Sequence, residues 1–318
     1  MKKYAFGIDV GGTTVKVGFF DIEVDGTLID KWEVSTRKDE GGKYILSDVA
    51  KTINDKLSEK NINIEEVKGI GIGVPGPVLE ESIVNKCVNL GWGVFNVAEE
   101  SSLIFGIPKE NILVSNDASV ACLGEMWLGA GRGFRDLVLI TLGTGVGGGV
   151  VLNGKIVSGA FGASGEIGHM KISHTEDLQC GCGKKGCLEQ YASATGIVRK
   201  INEKLVNTDT PSILRQEHYL SAKSVFDAAK KGDEISMDIV DEVCEDLALA
   251  LSYVSCTIDP EIFLIGGGVS KAGDMLTDKI QERYTEHCFH ASKETKFKIA
   301  ELGNDAGMYG AVKMIIDK

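Results

Sequence analysis

YAFGIDVGGTTVKVGFFD, residues 4–21, is the stretch that decides the fold. Residues that favour β-strands stand on both sides of Gly11 and Gly12, and this pattern predicts a hairpin with a glycine turn. A second stretch with the same plan, LVLITLGTGVGGGVVLNG, covers residues 137–154. The two stretches open successive halves of the chain. This order points to an internal duplication, although the similarity outside the turns does not establish one.

The second stretch contains G-x-G-x-G, which is also part of the dinucleotide-binding fingerprint. That fingerprint requires a helix directly after the glycines. Here the residues that follow predict further strand, namely Val150, Val151, Ile156 and Val157. The sequence also lacks a G-x-x-x-x-G-K-[ST] phosphate loop. A strand-turn-strand unit is therefore the better interpretation.

Length and composition predict a globular protein of two domains. The chain has 318 residues, more than one hydrophobic core usually sustains, with 43% apolar and 25% charged residues. Its net charge of -12 argues against a nucleic-acid partner, because that affinity rests on clustered lysine and arginine. Nucleotide binding is still compatible with this charge, since Mg²⁺ and backbone N–H groups can hold phosphates.

The apolar run at residues 4–8 is too short for a secretory core or a membrane helix. We therefore expect a cytoplasmic protein with no membrane partner and with reduced thiols. Three of the eight cysteines lie within residues 180–187. In a reducing compartment such a cluster favours a metal site over disulfides.

The clearest helical periodicity covers residues 236–257 and predicts a core helix. A short buried strand at residues 261–265 follows, then a glycine turn and a helix near residues 272–284. A last helix is expected at about residues 306–316. No linker is visible, so a domain boundary near residues 112–116 follows from the order of the motifs alone.

The first glycine turn has the chemistry of a phosphate site. A carboxylate at the end of a strand can hold Mg²⁺ through water, glycines let the backbone approach a phosphate, and threonines offer hydroxyl donors. These residues are Asp9, Gly11, Gly12, Thr13 and Thr14. The alternative is an ordinary glycine hairpin with a turn-stabilising aspartate.

The second turn repeats this chemistry with Thr141, Gly143, Thr144 and Gly145. Two such turns, each flanked by strands, can cradle adjacent phosphates of one nucleotide. At this point the sequence resembles the actin-like ATPase superfamily, whose hallmark is a pair of phosphate loops and a glycine-rich adenosine turn near the C-terminus. Gly266, Gly267 and Gly268 match that third element in order. Taken alone, these three glycines would be a plain turn between a strand and a helix.

A cluster of one histidine and three cysteines supplies one nitrogen and three sulfurs, a set suited to tetrahedral Zn²⁺. The residues are His169, Cys180, Cys182 and Cys187. Four protein ligands leave no open position, so the zinc is expected to be structural. The alternative is a group of buried free thiols beside a surface histidine.

Three motifs together are the signature of the ROK family (repressors, open reading frames and kinases): DVGGTTVK, GEIGH and CGCGKKGCLEQY. The resemblance implies an α/β, actin-like ATPase fold of the hexokinase and Hsp70 superfamily, with two RNase H-like domains around a cleft. It places residues 1–115 and about 305–318 in a small domain and residues 116–304 in a larger one.

The same resemblance implies the site residues. Asp117, in VSNDASVACLGE, corresponds to the catalytic base that accepts the proton of a sugar 6-hydroxyl, and its alternative role is an N-cap for a helix beginning at Ala118. The implied sugar pocket consists of Gly76, Asn89, Asn116, Asp117, Glu166, His169 and Glu189. His169 would bind zinc through one ring nitrogen and face the sugar with the other, so that metal loss disturbs sugar binding.

The implied activity is ATP-dependent phosphorylation of a hexose with Mg²⁺, and the sequence is similar to the glucokinases of Gram-positive bacteria. Kinases for other hexoses or for N-acetylmannosamine share most of the pocket residues. A repressor of this family would carry a helix-turn-helix domain before the first phosphate turn, and from the position of Asp9 we expect no such domain here. A non-catalytic sugar sensor is the remaining alternative. The family also implies a homodimer.

Overall fold

The structure, a computed structural model, describes residues 2–24, 26–173 and 178–318. The chain forms two compact units. The first comprises Met1–Arg135, Gly149–Gly165 and Glu301–Lys318, and the second comprises Asp136–Gly148 and Glu166–Ala300.

The strands, in chain order, are β1 (Tyr4–Val10), β2 (Thr14–Asp21), β3 (Thr27–Ser35), β4 (Val67–Val74), β5 (Val78–Leu79), β6 (Ile83–Cys87), β7 (Trp92–Asn96), β8 (Ile112–Asn116), β9 (Leu137–Leu142), β10 (Val146–Leu152), β11 (Lys155–Ile156), β12 (Ile262–Gly266) and β13 (Lys296–Ile299). The helices are α1 (Asp39–Gly42), α2 (Ile45–Glu59), α3 (Val97–Phe105), α4 (Asp117–Leu128), α5 (Glu189–Ala192), α6 (Ala194–Asn207), α7 (Ala222–Ala229), α8 (Glu234–Ile258), α9 (Asp274–His287) and α10 (Ala306–Asp317).

The first unit is built on a sheet of order β3-β2-β1-β4-β8. β1 pairs antiparallel with β2, which confirms the hairpin predicted at residues 4–21, and parallel with β4. Phe6 and Phe19 stack in the core of this sheet with ring centroids 4.7 Å apart. Helix α2 closes one side of this core, because its buried residues recur at helical spacing along one face. A smaller sheet has the order β5-β6-β7.

A further sheet has the order β11-β10-β9-β12-β13. β12 is parallel to both β9 and β13, and all five of its residues are buried, as a parallel strand covered on both faces requires. Helix α8 packs against α6, α7 and α9 in the second unit. It contains the whole helix predicted at residues 236–257, and β12 and α10 lie where the sequence predicts them.

The predicted division and the compact units differ for residues 116–135, which include α4, for the segment Gly149–Gly165 and for residues 301–304, all of which belong to the first unit. Helix α4 packs tightly on α10 through glycines. A Cβ on Gly310 would lie 1.6 Å from the carbonyl oxygen of Val120, and one on Gly124 would lie 2.3 Å from that of Ala306. This contact explains why α4 belongs to the first unit. The domain limits predicted from the sequence, residues 1–115 with about 305–318 and residues 116–304, remain a prediction.

No helix in the described part of the chain combines the length and the apolar character that a bilayer-spanning segment requires.

Candidate active site

The first glycine turn joins β1 to β2 and is closed by a hydrogen bond from the Gly11 N–H to the Thr14 carbonyl, 3.0 Å. The end of β3 supports it from the side. The Thr36 hydroxyl donates to the Gly11 carbonyl at 2.7 Å, and the Thr36 N–H donates to the Thr13 carbonyl at 2.9 Å. Thr13 itself is exposed. The turn therefore has a fixed backbone and an open side, as a phosphate site needs. The supporting role of Thr36 is not predictable from the sequence, because no motif marks this residue.

Asp9 lies two residues before this turn, at the end of β1, and is partly buried. Burial, and then the nearby Asp117 carboxylate, raise the pKa of Asp9 to about 6, while Lys16 lowers it. The two carboxylates thus lie close enough to repel each other. A cation between or beside them would relieve this repulsion.

Asp117 begins α4, directly after β8. The predicted N-cap role belongs to Asn116 rather than to Asp117. The Asn116 side-chain oxygen accepts hydrogen bonds from the N–H groups of Ala118 at 2.9 Å and Ser119 at 3.2 Å. Asn116 has the extended backbone that precedes a helix, so its side chain reaches back to the first turn. The Asp117 Oδ1 atom also accepts from the Ala118 N–H, at 2.8 Å.

The predicted sugar residues of the first unit lie near one another. The Asn116 side-chain nitrogen is 3.4 Å from the Gly76 carbonyl, and Asn89 is exposed on a short 3-10 turn, Val88–Leu90. Cys87 precedes this turn and donates to the Pro75 carbonyl at 3.0 Å. Burial raises the pKa of Cys87 to about 11, and the Asp117 carboxylate adds to the rise. This Cys87 thiol therefore stays protonated at neutral pH.

The second glycine turn joins β9 to β10, and the Gly143 N–H donates to the Gly145 carbonyl at 2.9 Å. The start of α6 supports it. The Ala194 N–H donates to the Gly143 carbonyl at 2.8 Å, and the Thr195 hydroxyl donates to the Thr144 carbonyl at 2.8 Å. This turn is thus held by a helix N-terminus, whereas the first is held by a strand.

Glu189 links the second turn to the predicted sugar pocket. Its Oε2 atom accepts from the Val146 N–H at 3.0 Å. A Cβ on Gly145 would lie only 2.3 Å from the same oxygen. Position 145 must therefore be glycine for the carboxylate to take this place, a reason that the phosphate interpretation of the motif did not include.

The third glycine element follows β12. Gly267 has a positive φ of 84°, and a Cβ there would lie 2.4 Å from the Leu142 carbonyl oxygen. Only glycine fits this position. The turn therefore lies against the end of β9, next to Gly143. Gly268 begins a 3-10 helix, Gly268–Ala272, and has open space at its Cα, whereas Gly266 is buried at the end of β12.

The four predicted zinc ligands come together. One ligand atom from each of His169, Cys180, Cys182 and Cys187 lies within 4.8 Å of the others. The Cys182 and Cys187 sulfurs are 3.7 Å apart, and the Cys180 sulfur is 3.5 Å from His169 Nδ1. Tetrahedral zinc with Zn–S bonds of about 2.3 Å and a Zn–N bond of about 2.0 Å requires an S···S separation of about 3.8 Å and an S···N separation of about 3.5 Å. The residues fit such a site.

The cysteines of this cluster differ in their electrostatics. Burial raises the pKa of Cys180 and brings that of Cys187 to about 12. The Lys184 backbone N–H lowers the pKa of the exposed Cys182. A metal ion that binds here must therefore displace protons from two buried thiols.

The other sides of this cluster face the remaining predicted sugar residues. His169 Nε2 lies 3.8 Å from a Glu166 oxygen, and Glu189 Oε1 lies 3.8 Å from the Cys180 sulfur. With Nδ1 turned to the cysteines, the histidine presents Nε2 on its other edge. The structure thus gathers the predicted residues into two groups, one in each unit. The first holds Asp9, the first turn, Gly76, Asn89, Asn116 and Asp117, and the second holds the second turn, Glu166, His169, Glu189, the cysteines and Gly266, Gly267 and Gly268.

A family model described as "ROK family" matches residues 5–318. The chain belongs to the ROK family. Among ROK relatives, a protein named glucokinase from Halalkalibacterium halodurans is 39% identical over 313 residues, which cover 97% of this chain and 93% of that protein. A glucokinase from Thermotoga maritima is 35% identical, covering 98% and 97% of the two chains.

Solved ROK structures also match. The crystal structure of a ROK family glucokinase from Streptomyces griseus, in complex with glucose and AMPPNP, superposes with a TM-score of 0.75 at 29% identity. The match covers 98% of each chain. The predicted α/β, actin-like ATPase fold is thereby confirmed.

Proposed function

We propose that this chain is an ATP-dependent glucokinase, which transfers the γ-phosphoryl group of ATP to the 6-hydroxyl of glucose. The observation that carries the proposal is the full-length similarity to relatives named glucokinase, at up to 39% identity over 97% of the chain. The residues of both glycine turns and of the sugar pocket are all present for this reaction.

The two turns bind the phosphates of ATP through backbone N–H groups and the hydroxyls of Thr13, Thr14 and Thr144. Asp9 would hold Mg²⁺ through water, and that ion supplies the neutralisation of charge on the phosphates. The turn at Gly266, Gly267 and Gly268 would take the adenosine.

Asp117 is the general base of the proposed reaction. Its carboxylate accepts the proton of the 6-hydroxyl as the sugar oxygen forms a bond to the γ-phosphorus and the bond to the β-γ bridging oxygen breaks. ADP leaves with that bridging oxygen, and the products are glucose 6-phosphate, ADP and the proton on Asp117. Because Asn116 also accepts from the first N–H groups of α4, the helix keeps this cap in a variant that lacks the Asp117 carboxylate.

The sugar hydroxyls would be bound by the Gly76 backbone, Asn89, Asn116, Glu166, His169 and Glu189. Carboxylates and amides suit a polyol, because each makes paired hydrogen bonds at fixed geometry. His169, Cys180, Cys182 and Cys187 would hold a structural zinc, which supplies rigidity. His169 would bind it through Nδ1 and keep Nε2 for the sugar. The cytoplasmic location, expected from the short apolar run at residues 4–8, and the homodimer, expected from the family resemblance, remain predictions.

The test is ADP release with Mg-ATP and a panel of glucose, mannose, fructose, allose and N-acetylmannosamine. Asp117→Asn is expected to lose about 10²- to 10⁴-fold in kcat. Asp48→Asn is the matched control, because Asp48, on α2, makes a surface ion pair with Arg37. Strong turnover on glucose that collapses only in Asp117→Asn supports the proposal. Preference for another sugar would replace the substrate, and no turnover on any sugar would favour a sugar sensor.

A further inference from the structure

Glu125 is a fully buried carboxylate in the last turn of α4, and no step of the proposed reaction uses it. Its Oε2 atom accepts from the backbone N–H groups of Ala130 at 2.9 Å and Glu301 at 3.0 Å. Its Oε1 atom accepts from the Leu302 N–H at 2.7 Å. A buried carboxylate is stable only where donors replace water. Its position is built by the surrounding backbone, since a Cβ on Gly129 would lie 2.0 Å from Oε2.

These hydrogen bonds tie α4 to the segment 301–307, which the chain enters after β13. Strands β2 and β3 hold the same segment from another side. The Lys16 ammonium donates to the Asn304 carbonyl at 2.6 Å, and Lys31 pairs with Asp305 at 2.5 Å. The segment is therefore fastened to two different elements of the first unit.

The far end of segment 301–307 lies against Asp9. A Cβ on Gly307 would be 2.6 Å from Asp9 Cγ and 2.7 Å from its Oδ2 atom. The same segment also contacts α4, because a Cβ on Gly124 would be 2.3 Å from the Ala306 carbonyl oxygen. Helix α4 carries Asp117 at its first residue and Glu125 two turns later. Helix α4 thus begins at Asp117, and its Glu125 holds the segment 301–307, which packs on Asp9.

We propose that Glu125 is a positioning residue: by fixing segment 301–307 it sets the position of Asp9 relative to Asp117. The inference rests on the proposed function for the roles of those two carboxylates. The alternative hypothesis is that the Glu125 carboxylate only stabilises the fold.

Glu125→Gln distinguishes the two. The amide keeps one acceptor oxygen and turns an NH₂ group toward a backbone donor, so one end of segment 301–307 loses its partner. A displacement of reacting groups by about 1 Å can cost about 10²-fold. We expect kcat to fall about 10- to 100-fold and the KM for Mg-ATP to rise, while the Kd for glucose measured without nucleotide stays unchanged.

The matched control is Asp233→Asn in the second unit. Asp233 is also buried and accepts from the Ile213 N–H at 2.8 Å, the Ser236 N–H at 3.0 Å and the Ser236 hydroxyl at 2.7 Å. Its loss should lower the melting temperature and leave kcat and both KM values unchanged. If Glu125→Gln behaves in the same way, the carboxylate is merely structural and the proposal is wrong.

If Glu125→Gln does not fold, the variant Lys31→Met tests the same proposal. It loosens the same segment through Asp305 at an exposed position, and it should raise the KM for Mg-ATP about two- to five-fold. An unchanged KM for Mg-ATP would then overturn the proposal.

Failure of the proposed function can be recognised separately. If the wild-type chain phosphorylates no sugar, calorimetric titration with Mg-AMPPNP still reports on Asp9. Weaker Mg-dependent binding in Glu125→Gln than in the wild type would support the positioning role without any sugar reaction, and equal binding would contradict it.

Discussion

The two glycine turns have the same plan in sequence and different supports in the structure. Asp9 stands two residues before Gly11, and Thr141 stands two residues before Gly143. The first turn has a carboxylate at that place, packed against α10 and repelled by Asp117. The second turn has a hydroxyl there, and its Gly145 leaves room for Glu189, which reaches the Cys₃His cluster. A repeated motif therefore predicts the backbone of a turn without predicting what holds it or what charge it carries.

The largest expected effect is a difference in kcat between substitutions at Asp9, which is charged, and at Thr141, which is neutral and stands at the equivalent position. Asp9→Asn should lower kcat about 10²- to 10³-fold, because it removes the carboxylate proposed to hold Mg²⁺. Thr141→Val should cost only about five-fold, since it removes one neutral hydrogen-bonding group. Steady-state kinetics at saturating glucose measure both. Equal losses would mean that the two turns play equivalent parts.

The same Asp9 substitution should stabilise the fold at neutral pH. The folded-state pKa of Asp9 is raised from 3.8 to about 6, so the ionised form is disfavoured in the folded protein. The destabilisation begins as pH rises above 3.8, grows up to about pH 6 and is complete above it. Asp9→Asn removes it, for a gain of up to about 3 kcal/mol at neutral pH. Urea unfolding at about pH 7.5 and at about pH 4 should give a large and a small difference from wild type, and a gain of equal size at both would refute this origin.

Removal of zinc should affect the sugar residues next to the second turn. Cys182→Ser alters an exposed ligand, so the packing of the core is left intact. We expect loss of bound zinc by elemental analysis and a rise of about 10- to 100-fold in the KM for glucose. Cys256→Ser is the control, as Cys256 is exposed and lies outside the cluster. A zinc-free variant that keeps its KM for glucose would show that sugar binding does not depend on the metal.

A smaller effect is expected at Gly145. The methyl group of Gly145→Ala would displace the Glu189 carboxylate, whose oxygen lies 2.3 Å from the Cβ position. The affinity for glucose, measured by calorimetry without nucleotide, should fall about five- to ten-fold, the equivalent of one lost hydrogen bond. Gly93→Ala is the control, because a Cβ there meets nothing within 4 Å. An affinity equal to wild type would show that Glu189 does not depend on this space.

Local pattern was enough to predict the main elements. Strands on both sides of Gly11 gave the first hairpin, and the apolar spacing along residues 236–257 gave α8, because both signals lie within one element. The Cys₃His cluster was also predictable, since three of its ligands stand within eight residues.

The remainder depends on contacts between distant residues. A single glutamate in a helix, such as Glu125, is usually expected on the helix surface. Glu125 is a buried acceptor only because the backbone N–H groups of Glu301 and Leu302, far along the chain, donate to it. The reason for glycine at position 145 is likewise set by Glu189, which is distant in sequence. The N-cap role that the sequence left open as an alternative for Asp117 is taken by Asn116, because both side chains suit that role and only the backbone decides between them.

Identification of the product decides whether the chain phosphorylates glucose at the 6-hydroxyl. The wild-type protein is incubated with Mg-ATP and glucose, and the phosphorus is followed by ³¹P NMR. The proposed glucokinase reaction gives ADP and an equal amount of a phosphomonoester whose phosphorus couples to the two protons on C6 of glucose. ADP with free inorganic phosphate, a phosphate on another carbon, or unchanged ATP would contradict it.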